Sequence, residues 1–156
     1  MFSRVGFCIL SILILTGCDG ITKPEKSPLT TPRVAISSRA AKSTSLSFLR
    51  MYISCLRSDQ PATTDQCLRR NTYAAKSLHK NLEIGNLAAQ GADPVTCALG
   101  PPGAYSTFSV ASIRIINDKL ADAVVEQDWE DYTYRQVLYI SLAPNGKPLV
   151  SNVVCG

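Results

Sequence analysis

Few side chains in this 156-residue chain are placed by their sequence context to perform chemistry. A serine or cysteine nucleophile needs a nearby base. The only histidine, His79, lies in the segment Lys76-Ser77-Leu78-His79-Lys80 without a recognisable orienting partner, and we interpret it as a solvated helix residue. There is no glycine-rich phosphate loop, no H-E-x-x-H pattern and no C-x-x-C pair. The sequence therefore favours a non-catalytic protein over an enzyme and predicts neither a metal nor a cofactor.

Cys18 stands at the end of a short apolar segment whose composition is typical of a secretory signal. The apolar run Val5–Leu15 follows the basic Arg4 and is shorter than the roughly 20 apolar residues that span a bilayer. The sequence Leu15-Thr16-Gly17-Cys18 resembles the lipobox of bacterial lipoproteins. The resemblance implies that residues 1–17 are a signal peptide and that Cys18 becomes the lipidated first residue of the mature protein. The alternatives are a signal peptide without lipid and an apolar N-terminus without a targeting role.

Lipid attachment implies a location in the bacterial cell envelope, with the protein anchored to a membrane and facing the periplasm. Asp19 directly follows the cysteine and resembles the retention signal of inner-membrane lipoproteins in enteric-type bacteria. Because that rule differs between bacteria, the outer membrane is the alternative. Residues 18–42 are polar and contain Pro24, Pro28 and Pro32, so we expect a flexible tether between the anchor and a folded domain.

Four of the six cysteines lie outside the signal and the lipidation site. An even number of cysteines in an exported domain favours two disulfides, and four cysteines allow three pairings. Free thiols are the alternative, although they are unusual outside the cytosol. We favour one bond within the helical part and one that ties the last residues to the start of the sheet, namely Cys55–Cys67 and Cys97–Cys155.

Residues 43–156 are enough for a single domain with its own core. Apolar residues recur at spacings of three and four between Ser43 and Arg57, which predicts an amphipathic helix. We expect a second helix from about residue 63 to about residue 85, forming a hairpin with the first. Strands follow at about 106–116, 120–126, 132–142 and 149–155, with a bulge near Ser112 or burial of both faces in the first, and an asparagine–glycine turn before the last.

This order predicts an α+β fold in which an N-terminal helix hairpin packs on a curved antiparallel sheet. Together with the segments Asp93-Pro94-Val95-Thr96-Cys97-Ala98 and Ala123-Val124-Val125, it resembles exported bacterial proteins with the fold of nuclear transport factor 2 and ketosteroid isomerase. The resemblance covers about residues 43–156 and implies a sheet that wraps a helix into a cone with a cavity. Enzymes of this fold often place Asp, His or Tyr in the cone, and Asp122 and Tyr134 are available for such a role.

The most distinctive local composition is an acidic and aromatic connection between two predicted strands. It holds the only tryptophan of the chain among carboxylates. An aromatic side chain with charged neighbours suits a protein interface, and the partner would present a basic surface. The alternative is that Trp129 packs on the end of the sheet. The residues that we expect to bind a partner are Asp128, Trp129, Glu130, Asp131 and Tyr132.

The charge of the chain argues against nucleic acid as a partner. The formal net charge is only +4, without the dense basic patch of a nucleic-acid binder. We therefore expect an envelope lipoprotein that binds a protein without catalysis, for example as an immunity or inhibitor protein against an effector that attacks the envelope. The alternatives are an enzyme or small-ligand binder that uses the cone cavity, and a structural accessory of an envelope or secretion assembly. The sequence leaves the oligomeric state open.

Overall fold

A computed structural model describes residues 34–58, 62–84, 92–98, 107–129 and 132–156, which belong to one compact unit. The signal segment, Cys18 and most of the expected tether lie outside these residues. Three helices precede four strands, which form one antiparallel sheet in the order β1-β2-β3-β4. The expected α+β class is confirmed. The elements are α1 (Ser38–Leu56), α2 (Thr64–Arg70), α3 (Lys76–Ile84), β1 (Thr107–Asn117), β2 (Leu120–Trp129), β3 (Tyr132–Leu142) and β4 (Pro148–Cys155).

The folded part begins earlier than the expected boundary at residue 43. Helix α1 starts at Ser38, and the side chain of the preceding Ser37 accepts a hydrogen bond from the backbone N–H of Ala40 at 3.2 Å. Ile36 is 5% exposed, and its backbone N–H donates to the carbonyl oxygen of Asp118 at 2.9 Å. A buried apolar residue and an N-cap therefore fix the start of the domain, and residues 38–42 belong to α1 rather than to a tether.

The second predicted helix is interrupted, and the expectation of one continuous helix is wrong. Asn71 is buried, and its side-chain amide donates to the carbonyl oxygen of Phe48 at 2.9 Å while its side-chain oxygen accepts from the N–H of Tyr73 at 3.0 Å. The chain then pairs with the edge of β4, where Ala74 bridges Val150. These bonds replace the helical pattern between α2 and α3, so residues 71–75 leave the helix to cover a strand.

Strand β1 contains two irregularities, and the expected bulge near Ser112 is confirmed. The register between β1 and β2 shifts between Val110 and Ser112, and again between Ile115 and Asn117. The turn before β4 is tight, because Gly146 adopts a φ of 78° that favours glycine. Its N–H donates to the carbonyl oxygen of Ala143 at 2.8 Å, as the asparagine–glycine pair predicts.

The core lies between α1 and one face of the sheet. Helix α1 contacts all four strands, and its side chains Phe48, Leu49 and Tyr52 are completely buried. Small side chains in β2 accept the helix closely, because Ala121 and Ala123 are also fully buried there. None of the helices in the described part of the chain combines the length and the apolar character that a membrane span requires.

Two disulfides connect the parts of the domain, and the expectation of disulfide bonds is confirmed. Cys55 at the end of α1 is bonded to Cys67 in α2, and Cys97 in the turn Asp93–Ala98 is bonded to Cys155 at the end of β4. These are the two pairs that the sequence analysis favours. The first bond joins the two helices, and the second closes the end of the sheet onto the segment that precedes it.

Candidate functional site

The expected partner-binding connection lies where β2 ends and β3 begins. Trp129 and Tyr132 are the last pair of the β2–β3 ladder, and Asp128 is opposite Thr133. The exposed carboxylate of Asp128 accepts a hydrogen bond from the Thr133 hydroxyl at 2.9 Å. Residues 130 and 131 and the side chains of Trp129 and Tyr132 lie outside the described part of the chain. The interface role of this connection therefore stays a prediction.

The outer face of the sheet next to this connection carries an ordered ion pair. Arg135 donates to Glu126 across the β2–β3 ladder, with Nε to Oε1 at 2.9 Å and Nη2 to Oε1 at 2.8 Å. A second ion pair lies four residues earlier in β2, where Asp122 is opposite Arg114 of β1. Arg114 donates to Asp122 through Nε at 2.9 Å and also through Nη2. Both pairs stiffen the sheet across neighbouring strands.

Asp122 lies on the face of β2 opposite the core, because the residues on either side of it, Ala121 and Ala123, belong to the hydrophobic core. Its side chain is only 8% exposed and is held by Arg114, whose own pKa is raised by the hydrogen bond to Asp122 and by the negative charge of that carboxylate. Asp122 is therefore not available to a site on the core side of the sheet. Tyr134 is half-buried and shares the parity of the core residues Gln136 and Leu138.

His79 has a carboxylate partner that the sequence analysis missed. Its Nδ1 lies 3.2 Å from Oδ1 of Asp65, whose other oxygen accepts from Nε of Arg69 at 2.7 Å. The hydrogen bond from Arg69, supported by its charge and by His79, lowers the pKa of the exposed Asp65 carboxyl. No local spacing indicates this pair, because His79 and Asp65 are fourteen residues apart and lie on different helices.

The concavity beside His79 does not assemble a catalytic triad. Its volume is about 520 Å³. Among the described residues, the side chains that line it offer two cations, an amide and an imidazole but no hydroxyl or thiol that His79 could activate. They are Leu68, Arg69, Asn71, Ala74, Ala75, Lys76 and His79. Within the described residues, no group of three or more histidine, cysteine or acidic side chains is placed to hold a metal ion.

A second acidic group, the half-buried Asp93, accepts hydrogen bonds from three donors. The Tyr52 hydroxyl donates to Oδ2 of Asp93 at 2.6 Å and lies 3.2 Å from the hydroxyl oxygen of Thr64. The other carboxylate oxygen accepts from the backbone N–H groups of Val95 at 2.9 Å and Thr96 at 2.7 Å. Burial, together with the nearby Asp93 charge, raises the pKa of Tyr52 far above its ordinary value. A phenol held protonated and a saturated carboxylate serve packing rather than proton transfer.

Three buried polar side chains on the core side remain without complete hydrogen bonding. Gln127 lacks a partner for both ends of its amide, Gln136 for its amide nitrogen and Thr96 for its hydroxyl. Cys97, next to Thr96, lies 3.8 Å from the side-chain oxygen of Gln136 through its sulfur. These residues form a polar region at the end of the core near the Cys97–Cys155 bond.

An open groove between α1 and the start of β1 was not expected from the sequence. Its volume is about 790 Å³. Its lining combines arginine and hydroxyl side chains with the apolar side chains of Ile53 and Phe108. Thr107 is opposite Asp128 in the β1–β2 ladder, so the groove and the acidic connection lie at the same end of the sheet. The lining residues are Arg50, Ile53, Ser54, Arg57, Ser58, Thr107 and Phe108.

Comparison with known proteins gives no match to a family model, to a curated protein or to a solved structure. The geometry of the described residues is therefore the basis for any functional inference.

Proposed function

We propose that this protein is a lipid-anchored envelope lipoprotein that binds a protein partner through its folded domain, without catalysis. The observation that carries the binding role is the way α1 occupies the core side of the sheet. Phe48, Leu49 and Tyr52 are completely buried between α1 and the sheet, so packed apolar and aromatic side chains fill this part of the domain. An active site would instead need ionisable groups that converge in an accessible pocket.

The disulfides support the envelope location. Both cysteine pairs are closed, with Cα atoms 5.5 Å apart in each. Structural disulfides persist in oxidising compartments such as the periplasm and are rare in the cytosol. This agrees with export through the signal peptide at residues 1–17 and lipidation at Cys18, with the inner membrane favoured by Asp19.

The partner that we propose for the acidic connection is a protein with a basic surface. Asp128 is exposed at the end of β2, and Trp129 and Tyr132 are paired in the backbone ladder beside it. An aromatic anchor within a charged rim would steer and hold such a partner. An immunity or inhibitor protein against an envelope-attacking effector is the concrete form of this function.

A second candidate function, binding of a small polar ligand, is supported by the orphaned amide groups of Gln127 and Gln136. Buried polar groups without partners are costly, and a ligand or ordered water would satisfy them. Because the side chains of Gln127 and Gln136 are fully buried, we rank this function below protein binding.

Lipid attachment is tested by metabolic labelling of the full-length protein with radioactive palmitate. We expect label in the wild type and in the control variant Cys8→Ser, because Cys8 lies in the segment that is removed. Cys18→Ser should carry no label and should leave the membrane fraction. Equal labelling of Cys18→Ser and the wild type would contradict the anchor.

Partner binding is tested by crosslinking in intact membranes followed by purification of the full-length protein. Trp129→Ala should reduce recovery of a crosslinked protein by about fivefold or more, as expected for an aromatic interface anchor. Val154→Ala is the matched control, because Val154 is an exposed apolar residue of β4 and lies outside the acidic connection. Equal recovery with wild type, Trp129→Ala and Val154→Ala would argue against the connection as the contact surface.

A further inference from the structure

The chain enters the described domain at one end of the sheet. Ile36 donates its backbone N–H to the carbonyl oxygen of Asp118 in the β1–β2 turn at 2.9 Å, and Leu142 donates to the carbonyl oxygen of Lys119 at 3.0 Å. Val34 lines a concavity of about 630 Å³ together with Lys119 and the β3–β4 turn. The start of the domain and these two turns therefore lie together. We call this part the entry end, and it comprises residues 34–42, 115–119 and 143–147.

Exposed apolar side chains are concentrated at the entry end. Val34 is 60% exposed, and Ile115 and Ile116, near the end of β1, are 41% and 43% exposed. In the described part of the chain, the other exposed large apolar side chains are those of Met51 and Val154. Apolar side chains that are exposed together, rather than singly, mark a contact surface.

Four exposed cations belong to the same end. Arg39 and Lys42 lie in the first two turns of α1, Lys119 lies in the β1–β2 turn, and Lys147 follows the β3–β4 turn. The first three form no ion pair with any described residue. Lys147 donates to a backbone carbonyl oxygen, which is neutral, so its charge is retained. The acidic residue among the described residues of the entry end is Asp118, and the cations outnumber it.

The proposed lipid lies on the side of the chain that leads into the entry end. Sixteen positions separate Cys18 from Val34, and a fully extended chain of that length spans at most about 60 Å. Strand β2 runs from the entry end to the acidic connection over ten residues, or about 30 Å. The entry end is therefore the part of the described domain that is closest along the chain to the bilayer, and the acidic connection lies at the far end of the sheet.

We propose that the entry end docks on the anionic phospholipid surface of the membrane that holds the lipid anchor. This inference rests on the proposed anchor at Cys18 and adds a second membrane contact made by the folded domain. Val34, Ile115 and Ile116 enter the interfacial layer, and the cations lie at the lipid phosphates, since a surface that combines apolar and basic side chains suits this layer. Docking in this orientation directs the acidic connection away from the phosphates and toward a protein partner.

A second copy of the chain fits the entry end less well than a lipid surface. Contact between two entry ends would bring the cations of both copies together, and like charges disfavour that arrangement. An anionic bilayer instead removes the repulsion among the cations and covers the exposed isoleucines.

The test uses the full-length, lipidated protein reconstituted into vesicles of phosphatidylcholine and phosphatidylglycerol in a three-to-one ratio. A single cysteine, Ile116→Cys, carries an environment-sensitive fluorophore, because the cysteines of the domain are closed in disulfides. A phospholipid with a nitroxide on its acyl chain serves as the quencher. Val154→Cys with the same fluorophore is the matched control, since Val154 is 44% exposed near the other end of the sheet. We expect quenching at residue 116 to exceed that at residue 154 by about threefold or more.

The contribution of charge is tested by removing three cations together. Arg39→Gln/Lys42→Gln/Lys119→Gln should lower the docking equilibrium constant by about fivefold for each charge, and so abolish the preferential quenching at residue 116. Arg50→Gln/Lys76→Gln/Lys80→Gln is the control, because it removes the same number of exposed cations from outside the entry end. High salt, or vesicles of phosphatidylcholine alone, should weaken the quenching of the unsubstituted surface.

Three results would each overturn the inference. The first is equal quenching at residues 116 and 154, or none at either. The second is quenching at residue 116 that depends on neither phosphatidylglycerol nor the three cations of the entry end. The third is a label at residue 116 that is shielded from aqueous iodide but not quenched by the lipid nitroxide, since a protein would then cover this surface.

Failure of this inference is distinguishable from failure of the proposed function. If palmitate labels the protein at Cys18 and the label at residue 116 is not quenched, the anchor stands and the docking surface is wrong. If no palmitate is attached, the proposed anchor is wrong. Quenching is then measured with the unlipidated protein added to preformed vesicles, where preferential quenching at residue 116 supports the docking surface and its absence overturns it.

Discussion

A single hydroxyl group, that of Tyr52, connects three separate parts of the domain. The phenol belongs to α1, Thr64 begins α2, and Asp93 lies in the turn that carries Cys97. Asp93 is held in turn by two backbone N–H groups of the same turn. Because the hydroxyl is buried with a carboxylate acceptor, it must stay protonated in the folded protein. Tyr52 therefore links core packing to the loop that anchors the second disulfide.

Replacing Tyr52 by Phe should lower the free energy of unfolding by about 1–2 kcal/mol at neutral pH, because Asp93 loses a buried donor. The raised pKa of Tyr52 also predicts a pH dependence. A group whose pKa is higher in the folded state stabilises the protein below its unfolded pKa of about 10, and this stabilisation is lost as the pH rises further. Between pH 10 and 11 the wild type should lose up to about 1.4 kcal/mol more than Tyr52→Phe.

Urea unfolding followed by circular dichroism at pH 7, 9, 10 and 11 measures this difference. Tyr73→Phe is the matched control, because it removes the hydroxyl of another half-buried tyrosine that does not bond to Asp93. Parallel pH curves for wild type and Tyr52→Phe would show that the hydroxyl of Tyr52 is not buried against Asp93.

At the scale of elements, the sequence predicts those parts whose pattern is local. The apolar stripe of α1 and the strict alternation in β3 depend on neighbouring residues, and both elements form where their patterns indicate. The early start of α1 depends instead on Ile36, whose backbone partner is Asp118 in the turn between β1 and β2. The groove depends on how α1 lies along β1, and no residue spacing within either element reports that orientation.

The interruption between α2 and α3 is the clearest case of a distant partner that overrides a local pattern. Asn71 bonds to the carbonyl oxygen of Phe48, twenty-three residues earlier in the chain. The periodicity around Leu68, Ala75 and Leu78 continues across the interruption and predicts one helix. Only the tertiary contact makes the break favourable, because it satisfies a backbone carbonyl and lets residues 73–75 cover β4.

Asn71→Ala should lower the free energy of unfolding by about 2–3 kcal/mol. The substitution leaves the Phe48 carbonyl without its side-chain donor and the backbone N–H of Tyr73 without its acceptor. Thermal or urea unfolding measures the change. Asn81→Ala is the control, since Asn81 makes a similar side-chain bond to the carbonyl oxygen of Ser151 but is exposed, and we expect a loss below about 1 kcal/mol. Equal losses for the two variants would mean that Asn71 does not determine the break.

On the scale of the whole molecule, the two disulfides close chain segments of very different length. Cys55–Cys67 spans 12 residues, whereas Cys97–Cys155 spans 58 and encloses the entire sheet. The chain-entropy relation gives about 3 kcal/mol for the shorter loop and about 4 kcal/mol for the longer one. The long bond also fixes Cys97, which adopts the left-handed φ of 61°, within the turn that binds Tyr52.

We therefore expect the variant Cys97→Ser/Cys155→Ser to be less stable than Cys55→Ser/Cys67→Ser by about 1 kcal/mol or more. The entropic difference supplies this minimum, and loosening of the Asp93–Ala98 turn adds to it by weakening the hydrogen bonds of Asp93. Urea unfolding of the two double variants under oxidising conditions measures the difference. A less stable Cys55→Ser/Cys67→Ser protein would mean that the helices, rather than the closure of the sheet onto its preceding turn, limit the stability of the domain.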